Sequence, residues 1–177
     1  MQELTHYLNG AHVKGTSGRF ADVYNPATGE VQAKVPLANE SEMDQAVKYA
    51  MAAQPAWAAV NPQRRARVMM KFVDLLNRDM DKLAEALSRE HGKTLPDAAG
   101  DVQRGLEVVE YCIGAPELLK GDFTDSAGPG IDMYSMRQPL GVSAGITPFN
   151  FPAMIPMWMF APAIVCGNAF ILKPSER

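Results

Sequence analysis

The residues best placed to do chemistry are few and lie late in the chain. Thr147-Pro148-Phe149-Asn150-Phe151-Pro152 sets one polar amide between two aromatic rings. The small apolar run at 140–146 before it reads as a strand, and the apolar run after it reads as a helix. Asn150 is therefore expected at the carboxyl end of a parallel strand, where α/β folds bind ligands. The plainer reading of the same residue is an ordinary turn or cap asparagine. Lys173-Pro174-Ser175-Glu176-Arg177 follows the next predicted strand. An acid past the second strand of a mononucleotide-binding half can accept hydrogen bonds from ribose hydroxyls, although charges after a strand are otherwise simply solvated. The G-x-G-x-x-G fingerprint is absent. Cys112 and Cys166 stand too far apart in sequence to form a metal cluster or a disulfide framework, and each reads as a small buried hydrophobe. Arg104, in Asp101-Val102-Gln103-Arg104-Gly105, is by itself a solvated helix charge.

The elements that must hold these residues follow from patterning. Residues 1–36 read as β structure, with Leu8-Asn9-Gly10 as a hairpin turn, alternation from Phe20 to Tyr24 and a turn at Asn25-Pro26-Ala27-Thr28-Gly29. Helices then dominate. Ser41 with Asp44 predicts a capping box, followed by Met43, Ala46, Val47, Ala50 and Met51 at helical spacing. Pro62 opens a second helix with Val68, Met69, Phe72, Val73, Leu75 and Leu76 as its inward stripe. Asp79 caps a third helix, with Leu83, Ala84 and Leu87 facing inward and a stop near Gly92. Pro96 or Asp97 opens a fourth, with Val102, Leu106, Val109 and Ile113 on one face. Residues 121–130 form a polar link and 131–137 an alternating strand. A strand buried on both faces at 140–146, a helix at 152–166 and a strand at 169–172 complete a β-α-β unit.

Composition excludes several classes. An apolar fraction of 47% and a charged fraction of 21% suit an ordinary soluble globular protein. Seventeen Lys+Arg against 20 Asp+Glu leave a net charge of −3, which offers no electrostatic case for nucleic acid. The start of the chain lacks the features of a secretory or transit peptide, and the cysteines give no disulfide framework; the expected setting is cytoplasmic. The uncharged run at 138–172 carries five prolines and three glycines, unlike the ~20 uninterrupted apolar residues of a membrane span.

The stretch GVSAGITPFNFPAMIPMWMFAPAIVCGNAFILKPSER resembles the start of the cofactor-binding region of the aldehyde dehydrogenase superfamily. PFNFP and ILKPSER, with EHGKTLPDAAGDVQRGLEVVEYC and GAPELLKGD upstream, are similar to its CoA-acylating methylmalonate-semialdehyde subgroup. The resemblance runs from about residue 10 to the last residue. It implies an α/β fold: N-terminal strands and helices of a cofactor-binding domain over 1–120, a linker and oligomerisation-arm strand over 121–138, and the first β-α-β unit of a Rossmann-like parallel sheet over 139–177.

The same resemblance implies roles. Asn150 matches the oxyanion-hole asparagine, Arg104 the arginine that grips the substrate's free carboxylate, and Lys173 with Glu176 the pair that holds the adenosine ribose of NAD. Thr147, Phe149 and Arg177 match further cofactor contacts, and no metal is implied. The reaction implied is oxidation of methylmalonate or malonate semialdehyde, with carbon dioxide release and coenzyme A as acyl acceptor, by a homodimer or homotetramer. The family's nucleophilic cysteine would lie downstream of Arg177, so the 177 residues alone are expected not to turn over. A hydrolytic aldehyde dehydrogenase, or a non-catalytic nucleotide-binding product, are the alternative readings.

Overall fold

A computed structural model describes residues 2–175. Five short strands open the chain: β1 (Gln2–Glu3), β2 (His6–Leu8), β3 (Ala11–Val13), β4 (Phe20–Tyr24) and β5 (Val31–Pro36). The β2–β3 hairpin turns at Asn9-Gly10, both with positive φ, as expected for an Asn-Gly turn. β5 is the centre of a three-stranded sheet, parallel to β1 and antiparallel to β4.

Helix α1 (Glu40–Ala58) starts two residues earlier than the Ser41/Asp44 pattern suggested. Its N-cap is Asn39, whose side chain accepts from Glu42 N while the Glu42 carboxylate accepts from Asn39 N. Glu42 also accepts from Thr16 N at 2.7 Å, tying the helix start to the N-terminal loop. The contact face of α1 narrows to small side chains: Ala46, Val47 and Ala50 are half-buried, whereas Met43 and Met51 are exposed. Two small residues per turn let the helix lie close on the strands behind it.

Helix α2 (Pro62–Arg78) is capped by Asn61 with proline in the first turn, as predicted. Its buried stripe is Arg65, Ala66, Met69 and Leu76 with Phe72 and Val73 half-buried; of the expected stripe, Val68 and Leu75 face outward instead. Helix α3 (Met80–His91) buries Ala84 and Leu87 but leaves Leu83 exposed. Asp79 precedes it without capping it, because its carboxylate is taken by Arg78 and Lys82. Gly92 ends α3 at φ +84, a left-handed position where a Cβ would also sit 2.9 Å from the Pro26 ring. Helix α4 (Leu95–Ile113) begins just before the predicted Pro96 or Asp97, capped by Thr94. It carries Ala98, Val102, Leu106 and Val109 into the centre of the molecule, between α2, α3 and the later apolar helix.

After the short α5 (Ala115–Leu118), the expected polar link at 121–130 is instead a strand, β6 (Phe123–Gly128), paired antiparallel with β7 (Ile131–Tyr134). Nearly every residue of this hairpin is exposed, which is why Thr, Asp and Ser could occupy a strand with no apolar signal. The predicted β-α-β unit follows as β8 (Val142–Ile146), α6 (Met154–Val165) and β9 (Ala169–Lys173), with β8 and β9 parallel in register from Val142↔Ala169 to Ile146↔Lys173. β8 is not buried on both faces: Ile146 is 73% exposed and Leu140 before it 93%. Both α1 and α6 pack on this strand pair.

The tail of α6 is held by side chains from α1 and α2. Trp57 Nε1 donates to Ile164 O at 2.7 Å and Gln54 to Gly167 O at 3.1 Å. Arg65, 4% exposed, donates to Val165 O at 2.9 Å, to Ala58 O at 3.1 Å and to Val60 O. Asn168 accepts from the backbone N–H groups of Leu140 and Gly141, which fixes the entry to β8.

Candidate functional site

The turn between β8 and α6 lies at the carboxyl end of the parallel pair, with Thr147 N donating to Lys173 O at 3.2 Å. Thr147 is buried and Phe149 half-buried, and Asn150 is exposed. The N-cap of α6 is Ala153, so Asn150 is not the helix cap. Among the described residues its side-chain amide makes no hydrogen bond.

The work of satisfying α6's first turn falls to Asp101, a carboxylate on α4 with no exposed surface. Its Oδ1 accepts from Met154 N at 2.7 Å and its Oδ2 from Lys93 Nζ at 2.8 Å. A negative charge at the start of a helix is favoured by the unpaired N–H groups there. The Lys93 ammonium also stands 4.2 Å from the centroid of the Phe151 ring, a cation–π distance. On the other side of Asn150, the Phe149 ring lies 4.9 Å from the His91 imidazole at a 33° tilt. Both neighbours of Asn150 are thus backed by the single corner His91-Gly92-Lys93.

Close approach of α4 and α6 makes this possible. Gly105 faces the start of α6, and a Cβ there would lie 3.2 Å from Met154 Cα and 2.7 Å from Met157 Cε. One residue before it, Arg104 is exposed; its guanidinium reaches Gly100 O on its own helix at 3.4 Å. The Arg104 carbonyl accepts from Trp158 Nε1 at 3.3 Å, and Trp158 is 45% exposed on a helix otherwise largely buried. Arg104 and the Asn150 turn therefore belong to one α4–α6 contact.

A pocket of about 230 Å³ opens beside the turn, lined by Leu87, Glu90, His91, Thr147, Phe149 and Ser175 among others. His91 Nδ1 is buried there without a hydrogen-bond partner among the described residues. Thr147, Phe149, Asn150 and Lys173 thus meet at the carboxyl ends of β8 and β9; Glu176 and Arg177 lie outside the described residues. Neither cysteine reaches this place. Cys112 is buried, and burial, with a smaller contribution from Cys166, pushes its thiol up to about 11. Cys166, half-buried rather than fully so, caps the far end of α6, about 18 Å of helix from the turn.

Sequence reasoning missed Asp101, Lys93, His91 and Trp158. One signal was present for Asp101: it occupies the same helical face as Ala98, Val102 and Gly105, where a lone acid has to find a partner.

This architecture, a parallel strand pair with a ligand-type turn at its carboxyl end behind an N-terminal helical layer, defines a class. The aldehyde dehydrogenase family profile matches residues 12–177, and the chain belongs to that family. Within it, the chain is 53% identical over 177 residues to malonate-semialdehyde dehydrogenase of Pseudomonas aeruginosa, covering all of this chain and 35% of that protein. It is 52% identical to the mitochondrial acylating methylmalonate-semialdehyde dehydrogenase of Arabidopsis thaliana, covering 98% of this chain and 29% of that one. A crystal structure from Sinorhizobium meliloti, provisionally assigned as a methylmalonate-semialdehyde dehydrogenase and complexed with NAD, superposes with a TM-score of 0.98 at 68% identity. It is covered to 36% of its length by the whole of this chain. The chain spans about a third of the length of the relatives it matches. Among the described residues no helix is long and apolar enough to cross a membrane.

Proposed function

We infer that the chain supplies the N-terminal part of an NAD-dependent, CoA-acylating methylmalonate- or malonate-semialdehyde dehydrogenase. The observation that carries this is the placement of the Asn150 amide. It is exposed at the mouth of a parallel strand, is not used as a cap, and is flanked by two rings with fixed backing. A thiolate attacking an aldehyde builds negative charge on the carbonyl oxygen, and a preorganised amide N–H offsets that charge. Arg104 offers the planar guanidinium that binds the free carboxylate of a semialdehyde acid as a fork.

The strand ends suit a dinucleotide. Ile146 and Lys173 are paired at the end of the ladder, with Ile146 largely open. Thr147, Phe149 and Lys173 would hold NAD there together with Glu176 and Arg177; a carboxylate at 176 favours NAD over its 2′-phosphorylated form. NAD when bound supplies the hydride acceptor. The word acylating in the names of relatives supports an acyl acceptor, which we take to be coenzyme A; carbon dioxide release and dimer or tetramer assembly through β6–β7 are what the family resemblance implies.

The test uses the complete protein that contains this chain. With methylmalonate semialdehyde, NAD and coenzyme A it should form NADH. Asn150→Ala should lower kcat by about 100- to 1000-fold, the usual loss for one oxyanion donor. Arg104→Lys should act chiefly on KM for the semialdehyde. Unchanged kcat in the Asn150 variant overturns the assignment.

A further inference from the structure

We propose that Lys93 and Asp101 are positioning residues for Asn150, acting through the two segments that flank it. The inference rests on the reading of Asn150 as the oxyanion donor and extends it to residues that touch no substrate.

The geometry is specific. Asp101 Oδ1 takes the N–H of Met154, the first residue of α6, in place of the side-chain cap that helix lacks. That bond sets where α6 begins, and Ile155 N in turn donates to Phe151 O at 3.1 Å, one residue from Asn150. Lys93 joins the same anchor from the other direction: its side chain is 14% exposed, and its ammonium is shared between Asp101 Oδ2 and the face of the Phe151 ring. A single cation thus links the buried carboxylate under α6 to the side chain next to the reacting amide. His91, two residues before Lys93, backs Phe149 on the opposite flank. The exposed amide itself has no hydrogen bond among the described residues, so its direction depends on these neighbours. Small misplacement of such a group by a distant change can cost a factor of about 100 in rate.

A role in the fold alone would also make these residues sensitive to mutation, so the test is a double-mutant cycle in the complete protein. Lys93→Met and Phe151→Leu should each lower kcat by about 10- to 100-fold with KM for NAD unchanged, and Lys93→Arg should recover part of the loss. In the Asn150→Ala background the same two changes should have almost no further effect. An equal loss in both backgrounds, or no loss in either, overturns the proposal while leaving the assignment of Asn150 intact. A wild-type rate for Asn150→Ala alone removes the assignment and the proposal with it. Hydrogen–deuterium exchange supplies a readout without turnover: Lys93→Met should speed exchange in residues 147–153 and leave β4 and β5 unchanged, and equal exchange in that segment counts against the proposal. Should Lys93→Met fail to fold, Asp101→Asn, which keeps an acceptor for Met154 N–H, takes its place in both measurements with the same expected outcomes.

Discussion

Cys112 and Asp101 sit on the same buried face of α4, and their surroundings differ. Burial first, and the neighbouring Cys166 thiol second, hold the Cys112 thiol in the neutral form, with its pKa raised from 9.0 to about 11. It is the thiolate, not the thiol, that attacks a disulfide reagent. At about pH 8 Cys112 should therefore react with a chromogenic disulfide only after denaturation, at the rate of an ordinary thiol; rapid labelling of the native protein at this residue contradicts the placement. Asp101 keeps its place because Lys93 and the Met154 N–H meet both oxygens. The difference also explains what could be read in advance. Asn150 was legible because its neighbours in sequence, strand before and helix after, determine its position. Asp101 and Lys93 were not, because their partners come from other elements, and no local spacing encodes a bond from residue 101 to residue 154.

At the scale of elements, two contacts set how the helices meet. The Glu42 carboxyl lies below its ordinary value of 4.5, first because Asn39 N donates to it and then because Thr16 N does. A carboxyl lowered on folding adds stability above its unfolded value and loses it as pH falls through the folded one. Glu42→Gln should thus lower the thermal midpoint at neutral pH, and the gap to wild type should close progressively below about pH 4.5. A gap constant with pH would mean that the capping geometry, not the charge, carries the effect. Gly105 governs the second contact. An added methyl would press on Met154 Cα, which is backbone, as well as on the flexible tip of Met157. Gly105→Ala should destabilise by about 1–3 kcal/mol, the cost of overpacking a tight crossing, read as a lower denaturant midpoint. Element types were mostly legible because period and punctuation are local: the Asn9-Gly10 turn, β4, Pro62 and the β-α-β order all follow from neighbours in sequence. β6 was not. Its pairing with β7 leaves both faces to solvent, so no alternation of apolar residues marked it.

For the whole molecule, the exposed apolar surface has a direction. Phe123 and Tyr134 face each other across the β6–β7 ladder at 67% and 70% exposure, and Met133, one residue along and so on the other face of the ribbon, is 59% exposed. Large apolar side chains exposed on both faces of a two-stranded ribbon mark a contact region. The 19.3 kDa chain on its own should self-associate with rising concentration. Met133→Lys should shift its sedimentation towards the monomer; a wild-type chain that stays monomeric at high concentration argues against this surface. The N-terminal helices form a packed scaffold with α4 at its centre.

Arg65 couples distant parts of that scaffold. One guanidinium on α2 serves the carbonyl at the end of α1, another within the α1–α2 corner, and a third at the end of α6, 100 residues further along. If either segment lifts away, the remaining carbonyls lose their donor in a place where water has little access, so partial opening is penalised at every step. The corner and the end of α6 are consequently bound into one cooperative unit, released together or not at all, and local fraying near residue 60 is transmitted to the strand entry at residue 168.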